Sequence, residues 1–179
     1  SALFHRQLNS TGVWQFYERP NNLVFGFDIF TPKKGNLIAM ATQNGVLLSS
    51  DHGKTWKRTT GWRMTEVQCV TFDTTNSDIL YAGTPYGFYK TINNGKSWKQ
   101  YNTGLKTPDA TYVSAIVVDY SKPTRIFIST EDGVYKSENS GDSWVRLNGL
   151  SVKHIRTIVQ HPSQPNTLVV GTENNGIYF

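Results

Sequence analysis

Apolar positions in this chain come in short runs broken by turn residues, and they lack the three-to-four spacing of amphipathic helices. Four runs are apolar on both faces, about Leu23 to Phe30, Glu66 to Asp73, Tyr112 to Asp119 and His154 to Gln160, which predicts strands covered from both sides. Each is followed by a second strand: Asn36 to Thr42, Asp78 to Gly83, Arg125 to Thr130 and Thr167 to Gly171. Third strands follow at Gly45 to Ser50, Gly87 to Thr91, Gly133 to Ser137 and Gly176 to Phe179. Short outer strands start near Trp56, Trp98 and Trp144, and their Lys57, Arg58, Lys99 and Arg146 suit an exposed sheet edge.

These strands repeat in register. The octets Ser49 to Trp56, Thr91 to Trp98 and Ser137 to Trp144 share one pattern, with Trp spacings of 42 and 46 residues. A second element, Thr42 to Gly45, recurs as Thr84 to Gly87, Thr130 to Gly133 and Thr172 to Gly176. Several short strands at this period predict the blades of a β-propeller. The octet's residue types are those of a tight turn. Asp51, Asn93 and Asn139 can accept backbone N–H groups, while Gly53, Gly95 and Gly141 tolerate positive φ. The hydroxyls of Thr55, Ser97 and Ser143 can tie the turn down, and Trp56, Trp98 and Trp144 can bury their rings between adjacent blades. The octets are therefore read as structural staples.

The predicted architecture is all-β: a propeller of four four-stranded antiparallel blades after an N-terminal extension, 1–12. The blades cover about 23–60, 61–102, 103–148, and 149–179 together with 13–18. Trp14 lies 42 residues before Trp56, so Val13 to Glu18 reads as an outer strand that completes the last blade. Three arrangements fit: a self-closed ring, two chains forming an eight-bladed ring by exchanging end strands, and part of a longer propeller.

The octets resemble the Asp-box, or BNR repeat. It occurs in sialidases, sortilin-type receptor propellers, xyloglucanase-type glycoside hydrolases and photosystem II assembly factors. The likeness extends to the preceding segments Asp73 to Lys90, Asp119 to Lys136 and His161 to Tyr178, and is nearest to sortilin and xyloglucanase propellers. It implies the fold strongly and the function weakly, since such architectures are widely reused. It also implies an extracytoplasmic setting.

Charge adds little selectivity. The 18 Lys and Arg against 13 Asp and Glu give a net charge of +5, but the cations are spread along the chain, which argues against a specific nucleic-acid site. The one Cys, Cys69, sits in an apolar run and reads as a small buried hydrophobe. His5, His52, His154 and His161 lack metal-ligand spacing, so no metal or cofactor is expected. No apolar stretch is long enough to span a membrane. The opening Ser1 to Arg6 lacks the layout of a signal peptide, so none existed or it has been removed.

Sialidase chemistry needs an Arg-Ile-Pro signature that Arg125-Ile126-Phe127 and Glu18-Arg19-Pro20 do not supply. A xyloglucanase-like hydrolase needs two carboxylates across a cleft, for which Asp109, Glu131, Asp132 and Glu173 are the loop candidates. Recognition without catalysis fits better. In a propeller, the loops from outer strand to next inner strand and from second to third strand share the channel face. In blades 1 and 2 these loops carry Arg19, Asn21, Asn22, Gln43, Trp62, Arg63 and Tyr86. In blades 3 and 4 they add Tyr112, Lys153, His154 and Asn174 to the four acids. Aromatic rings beside Arg and amides suit a protein, peptide or glycan ligand, with a homodimer or larger assembly as a further partner.

Overall fold

The computed structural model describes residues 2–5, 15–18, 23–30 and 37–179. β1 (Ala2–His5) and β2 (Gln15–Glu18) pair with each other. Blade 1 comprises β3 (Val24–Phe30), β4 (Leu37–Thr42), β5 (Gly45–Ser49) and β6 (Lys57–Arg58). Blade 2 comprises β7 (Cys69–Phe72), β8 (Leu80–Thr84), β9 (Gly87–Thr91) and β10 (Lys99–Gln100). One helical turn, α1 (Pro108–Thr111), leads into blade 3: β11 (Val113–Val118), β12 (Ile126–Thr130), β13 (Val134–Ser137) and β14 (Val145–Arg146). Blade 4 comprises β15 (Ile155–Gln160), β16 (Leu168–Thr172) and β17 (Ile177–Tyr178). Every blade is an antiparallel meander in sequence order, so the predicted propeller blades and their strand order are present.

The core lies between blades rather than inside one. Ala39, Ala41 and Val46 of blade 1 pack on Val67, Val70 and Phe72 of blade 2. Tyr81 and Phe88 of blade 2 pack on Val113 and Trp144 of blade 3, with Phe88 and Trp144 meeting edge to face at 4.7 Å. Phe127 and Val134 of blade 3 pack on Ile155 and Ile158 of blade 4. A sheet covered on both faces by other sheets explains why the inner strands lack a polar face. Cys69 is half-buried rather than fully buried, and burial pushes its thiol up to about 12.

Among the described residues, the N-terminal strand does not join the last blade. Gln15–Glu18 pairs with Ala2–His5, inside the segment assigned to an extension, and blade 4 has three strands among the described residues. Trp14 lies outside the described residues. Inner strands pack in the order β3, β7, β11, β15, and no comparable packing joins β15 to β3 among the described residues. Phe27 on blade 1 is 61% exposed and Ile177 on blade 4 is 66% exposed. Among the described residues, the four blades follow one another in an arc. Matched Trp spacing at the two ends reports the phase of the repeat, and phase does not determine which edge a strand joins.

The three octet turns are built alike. Asp51 Oδ1 accepts the Thr55 N–H at 2.8 Å and its Oδ2 accepts the Thr55 hydroxyl at 2.5 Å. Asn93 and Asn139 accept the Ser97 and Ser143 N–H groups at 2.9 and 3.0 Å, and their amides donate to the same serine hydroxyls. The Thr55 bonds hold the Asp51 carboxyl down at about 2. The fourth and fifth octet positions have positive φ, as at Ser140 (56°) and Gly141 (86°). A Cβ on Gly141 would stand 2.4 Å from Phe88 Cε1 in the junction of blades 2 and 3. Gly141→Ala is therefore expected to cost about 2 kcal/mol, read as a lower urea midpoint. An unchanged midpoint would show that the turn relaxes freely.

Candidate functional site

The channel-face turns repeat one device. Thr42, Thr84, Thr130 and Thr172 end the second strands, and their hydroxyls donate to the carbonyls of Gly45, Gly87, Gly133 and Gly176 at 2.8, 3.1, 2.9 and 2.9 Å. This bond closes each turn and presents the residues between Thr and Gly at the rim. The start of the next inner strand is stitched to the same turn. Glu66 N–H donates to the Gln43 carbonyl at 2.7 Å, and His154 N–H to the Glu131 carbonyl at 2.9 Å.

Between blades 3 and 4 the rim is ionic. Glu131 accepts from His154 Nδ1 and pairs with Arg156, which also pairs with Glu173. Asp132 accepts the Tyr135 hydroxyl at 2.7 Å and pairs with Arg146 Nε at 3.2 Å and Lys153 Nζ at 3.6 Å. Burial acts to raise the Glu131 pKa, but hydrogen bonds from His154 and Arg156 outweigh it and hold the carboxyl below its usual range. Burial and the bond to Asp132 push the Tyr135 hydroxyl up to about 12.

The blade 1 and 2 rim is aromatic. Trp62 is 81% exposed, with the Arg63 guanidinium 5.0 Å from its ring centroid. Tyr86 is exposed, and its carbonyl is held by the side chains of Gln100 and Asn102 at 2.8 and 3.0 Å. A backbone fixed in this way presents the ring from a rigid turn. Gln43 and Asn174 are exposed, and Tyr112 is half-buried where it caps α1. Asp109 is an exposed first-turn acid of α1. Arg19, Asn21 and Asn22 lie outside the described residues.

The structure thus joins Glu131, His154 and Glu173 through Arg156 in one charge cluster, and Asp132 with Lys153 and Arg146 in a second. It adds Arg146 and Arg156, which were not anticipated. Arg156 falls at a register shift between Ile155 and Thr157 of β15, and the same shift occurs between Val113 and Ala115 and between Val24 and Gly26. An extra residue there breaks the two-residue alternation by which facing is inferred. The recurrence of that position before each long inner strand was the available signal.

Among the described residues, no group of three or more His, Cys, Asp or Glu is placed to hold a metal ion. At the opposite end of the channel, the C-terminal ends of all four inner strands line a cavity of about 470 Å³. There Asp28 accepts from the Thr71 hydroxyl and the Phe72 N–H at 2.8 and 2.9 Å, which ties blade 1 to blade 2.

Residues 8–171 match the family described as Photosynthesis system II assembly factor YCF48. The chain belongs to that family. No curated protein matches it. Among solved structures, an ancestral GH74 enzyme superposes on 87% of this YCF48-family chain with a TM-score of 0.72 and 23% identity. A YCF48 solved bound to a D1 peptide covers 84% with a TM-score of 0.63 and 18% identity. YCF48 from Cyanidioschyzon merolae covers 88% with a TM-score of 0.60 and 17% identity. The chain spans 22% of the GH74 enzyme and 48% and 56% of the two YCF48 chains. At these identities the likenesses establish the fold.

Proposed function

We propose that this chain is a non-catalytic recognition unit that binds a protein partner as an extended peptide at the rim. The observation that carries it is the state of the rim carboxylates. Glu131, Asp132 and Glu173 each face a cation, and Glu131 titrates below its usual range. A glycosidase needs the opposite, a carboxyl kept protonated near neutrality. A neutralised charge lattice beside exposed rings instead offers hydrogen-bonding and apolar anchors for a ligand. YCF48-family membership and the YCF48 solved with a D1 peptide support a peptide as the ligand class. A glycan is the alternative ligand, and a GH74-like hydrolase the alternative function. We extend the reading to an extracytoplasmic location, testable by cell fractionation.

Two measurements decide between these readings. A labelled D1 peptide titrated by fluorescence anisotropy should bind saturably, and xyloglucan and sialoside panels should release no sugar. Sugar release by the wild-type chain would overturn the proposal. Trp62→Ala should weaken peptide binding about tenfold, as the loss of an aromatic anchor does. Because Trp62 is 81% exposed, its removal should move stability by less than about 0.5 kcal/mol. Unchanged affinity in that variant would remove Trp62 from the site.

A further inference from the structure

The repeat allows the outer walls of consecutive blade junctions to be matched position by position. The N–H groups of Thr59, Tyr101 and Leu147 donate to the carbonyls of Val46, Phe88 and Val134 at 2.9, 2.9 and 2.8 Å, so these three residues are equivalent. Leu48 lies opposite Lys57 as Lys90 lies opposite Lys99. In the octet turns, the N–H groups of Lys96 and Asp142 donate to the Asn93 and Asn139 carbonyls at 3.2 and 3.3 Å, which makes Lys96 the counterpart of Asp142.

At the junction of blades 2 and 3 this wall is filled and neutralised. The Tyr101 ring has the Lys90 and Lys99 ammonium groups 5.4 and 5.0 Å from its centroid, and Lys90 pairs with Asp142 at 3.1 Å. At the junction of blades 1 and 2 the places of Tyr101, Lys90 and Asp142 are held by Thr59, Leu48 and Lys96. The short Thr59 side chain leaves the ring's place open, and a cavity of about 450 Å³ lies there, lined by Leu37, Leu48, Lys57, Arg58, Thr59 and Lys96 together with octet residues. A second cavity of about 380 Å³ shares Thr59 and Lys96 and extends the groove to Tyr89 and Trp98. Leu37, Leu48, Tyr89 and Trp98 are only partly buried against the core and form its apolar floor. Among the described residues, no Asp or Glu lines either cavity, and Lys57, Arg58 and Lys96 form no ion pair.

We infer that this outer groove between blades 1 and 2 is a docking surface for an acidic peptide segment that carries an aromatic side chain. The junction of blades 2 and 3 shows the chemistry that fits: a ring over the strand pair and a carboxylate beside it. A bound peptide supplies both, its ring resting on Leu48 where Thr59 leaves room and its carboxylate meeting Lys96. Lys57 and Arg58, exposed neighbours on β6, receive a further acid. Apolar area under the ring gives affinity, and three cations without a counter-charge select the sign of the partner. The groove lies on the outer wall and uses none of the rim residues, so both surfaces can be occupied at once.

Fluorescence anisotropy on the whole chain, with a short labelled peptide alternating Asp and Tyr, tests this. Saturable binding that weakens as salt is raised is expected. K96D, at an exposed position, should weaken it about tenfold by reversing a contact charge. T59Y should weaken it as much by filling the groove from within, and its urea midpoint should not fall, since the same ring is accommodated at the next junction. Trp62→Ala should leave this affinity unchanged, which separates the groove from the rim. Peptides with Asn for Asp, or with Ala for Tyr, should bind at least tenfold more weakly. The inference is overturned by a wild type that does not bind, by binding that survives both K96D and T59Y, or by equal binding of either altered peptide. Loss of binding in Trp62→Ala would overturn it by placing the peptide at the rim. Tighter binding of heparin or of a single-stranded oligonucleotide, abolished by K96D, would also overturn it by assigning the groove to a polyanion.

Discussion

Trp144→Ala is expected to lower the stability of the arc by about 3–5 kcal/mol, the range for emptying a large buried ring site. Trp144 is 3% exposed, meets Phe88 edge to face, and donates its indole N–H to the Tyr101 carbonyl of the preceding blade at 3.0 Å. Truncation leaves a cavity at the junction of blades 2 and 3 and strips that carbonyl of its donor. The equivalent Trp98 is half-buried, and its indole reaches the Thr59 hydroxyl of blade 1 at 3.3 Å. Trp56 is also half-buried, and its indole donates to Gly53 of its own turn at 2.7 Å. Urea unfolding should therefore rank the three alanine variants with Trp144 costliest and Trp56 mildest. Equal costs would mean that the ring acts within its own turn rather than across the junction.

Asp119→Ala should cost about 3 kcal/mol, near the low end for breaking a buried charge pair, because Arg125 retains partial access to water. The Asp119 side chain is fully buried. One of its oxygens accepts the Ser121 N–H and hydroxyl at 2.8 and 2.7 Å and the Lys122 N–H at 3.2 Å, and the other pairs with Arg125. Burial acts to raise the carboxyl pKa, but the bonds from Gln160, Ser121 and Arg125 prevail and hold it well below the usual carboxylate range. A carboxyl lowered on folding stabilises at pH values above its unfolded pKa, about 4. That contribution is lost as pH falls through the folded value. The difference between wild type and Asp119→Ala should thus be full at neutral pH and shrink in acid, read as thermal midpoints across a pH series. A difference that persists undiminished at the lowest pH would assign the loss to packing instead.

The blades and octet turns could be read from sequence because their chemistry is local. A carboxyl or amide four residues before a hydroxyl, with Gly between them, specifies its own hairpin wherever it sits. The turn positions of Glu131, Asp132, Lys153, His154 and Glu173 were legible because turns follow from strand order; their ion pairs were not. Arg156 was missed because a bulge rotates the residues beyond it, and a bulge leaves little trace in polarity alone. α1 was missed because four residues after Thr107 are too short to show a helical period. Gln15–Glu18 pairs with Ala2–His5 and not with blade 4, because edge pairing depends on which partner binds more tightly, which residue spacing does not encode.

Every octet turn is tied by hydrogen bonds spanning four residues of chain, and every sheet leans only on the sheets before and after it. The molecule is in that respect a one-dimensional stack whose cohesion is a sum over neighbouring pairs. Among the described residues the two middle sheets pack on a neighbour at each face, so harm from a substitution stays with the sheets that touch it. Lineages of such chains can therefore gain or lose whole units while the remaining joints keep their chemistry.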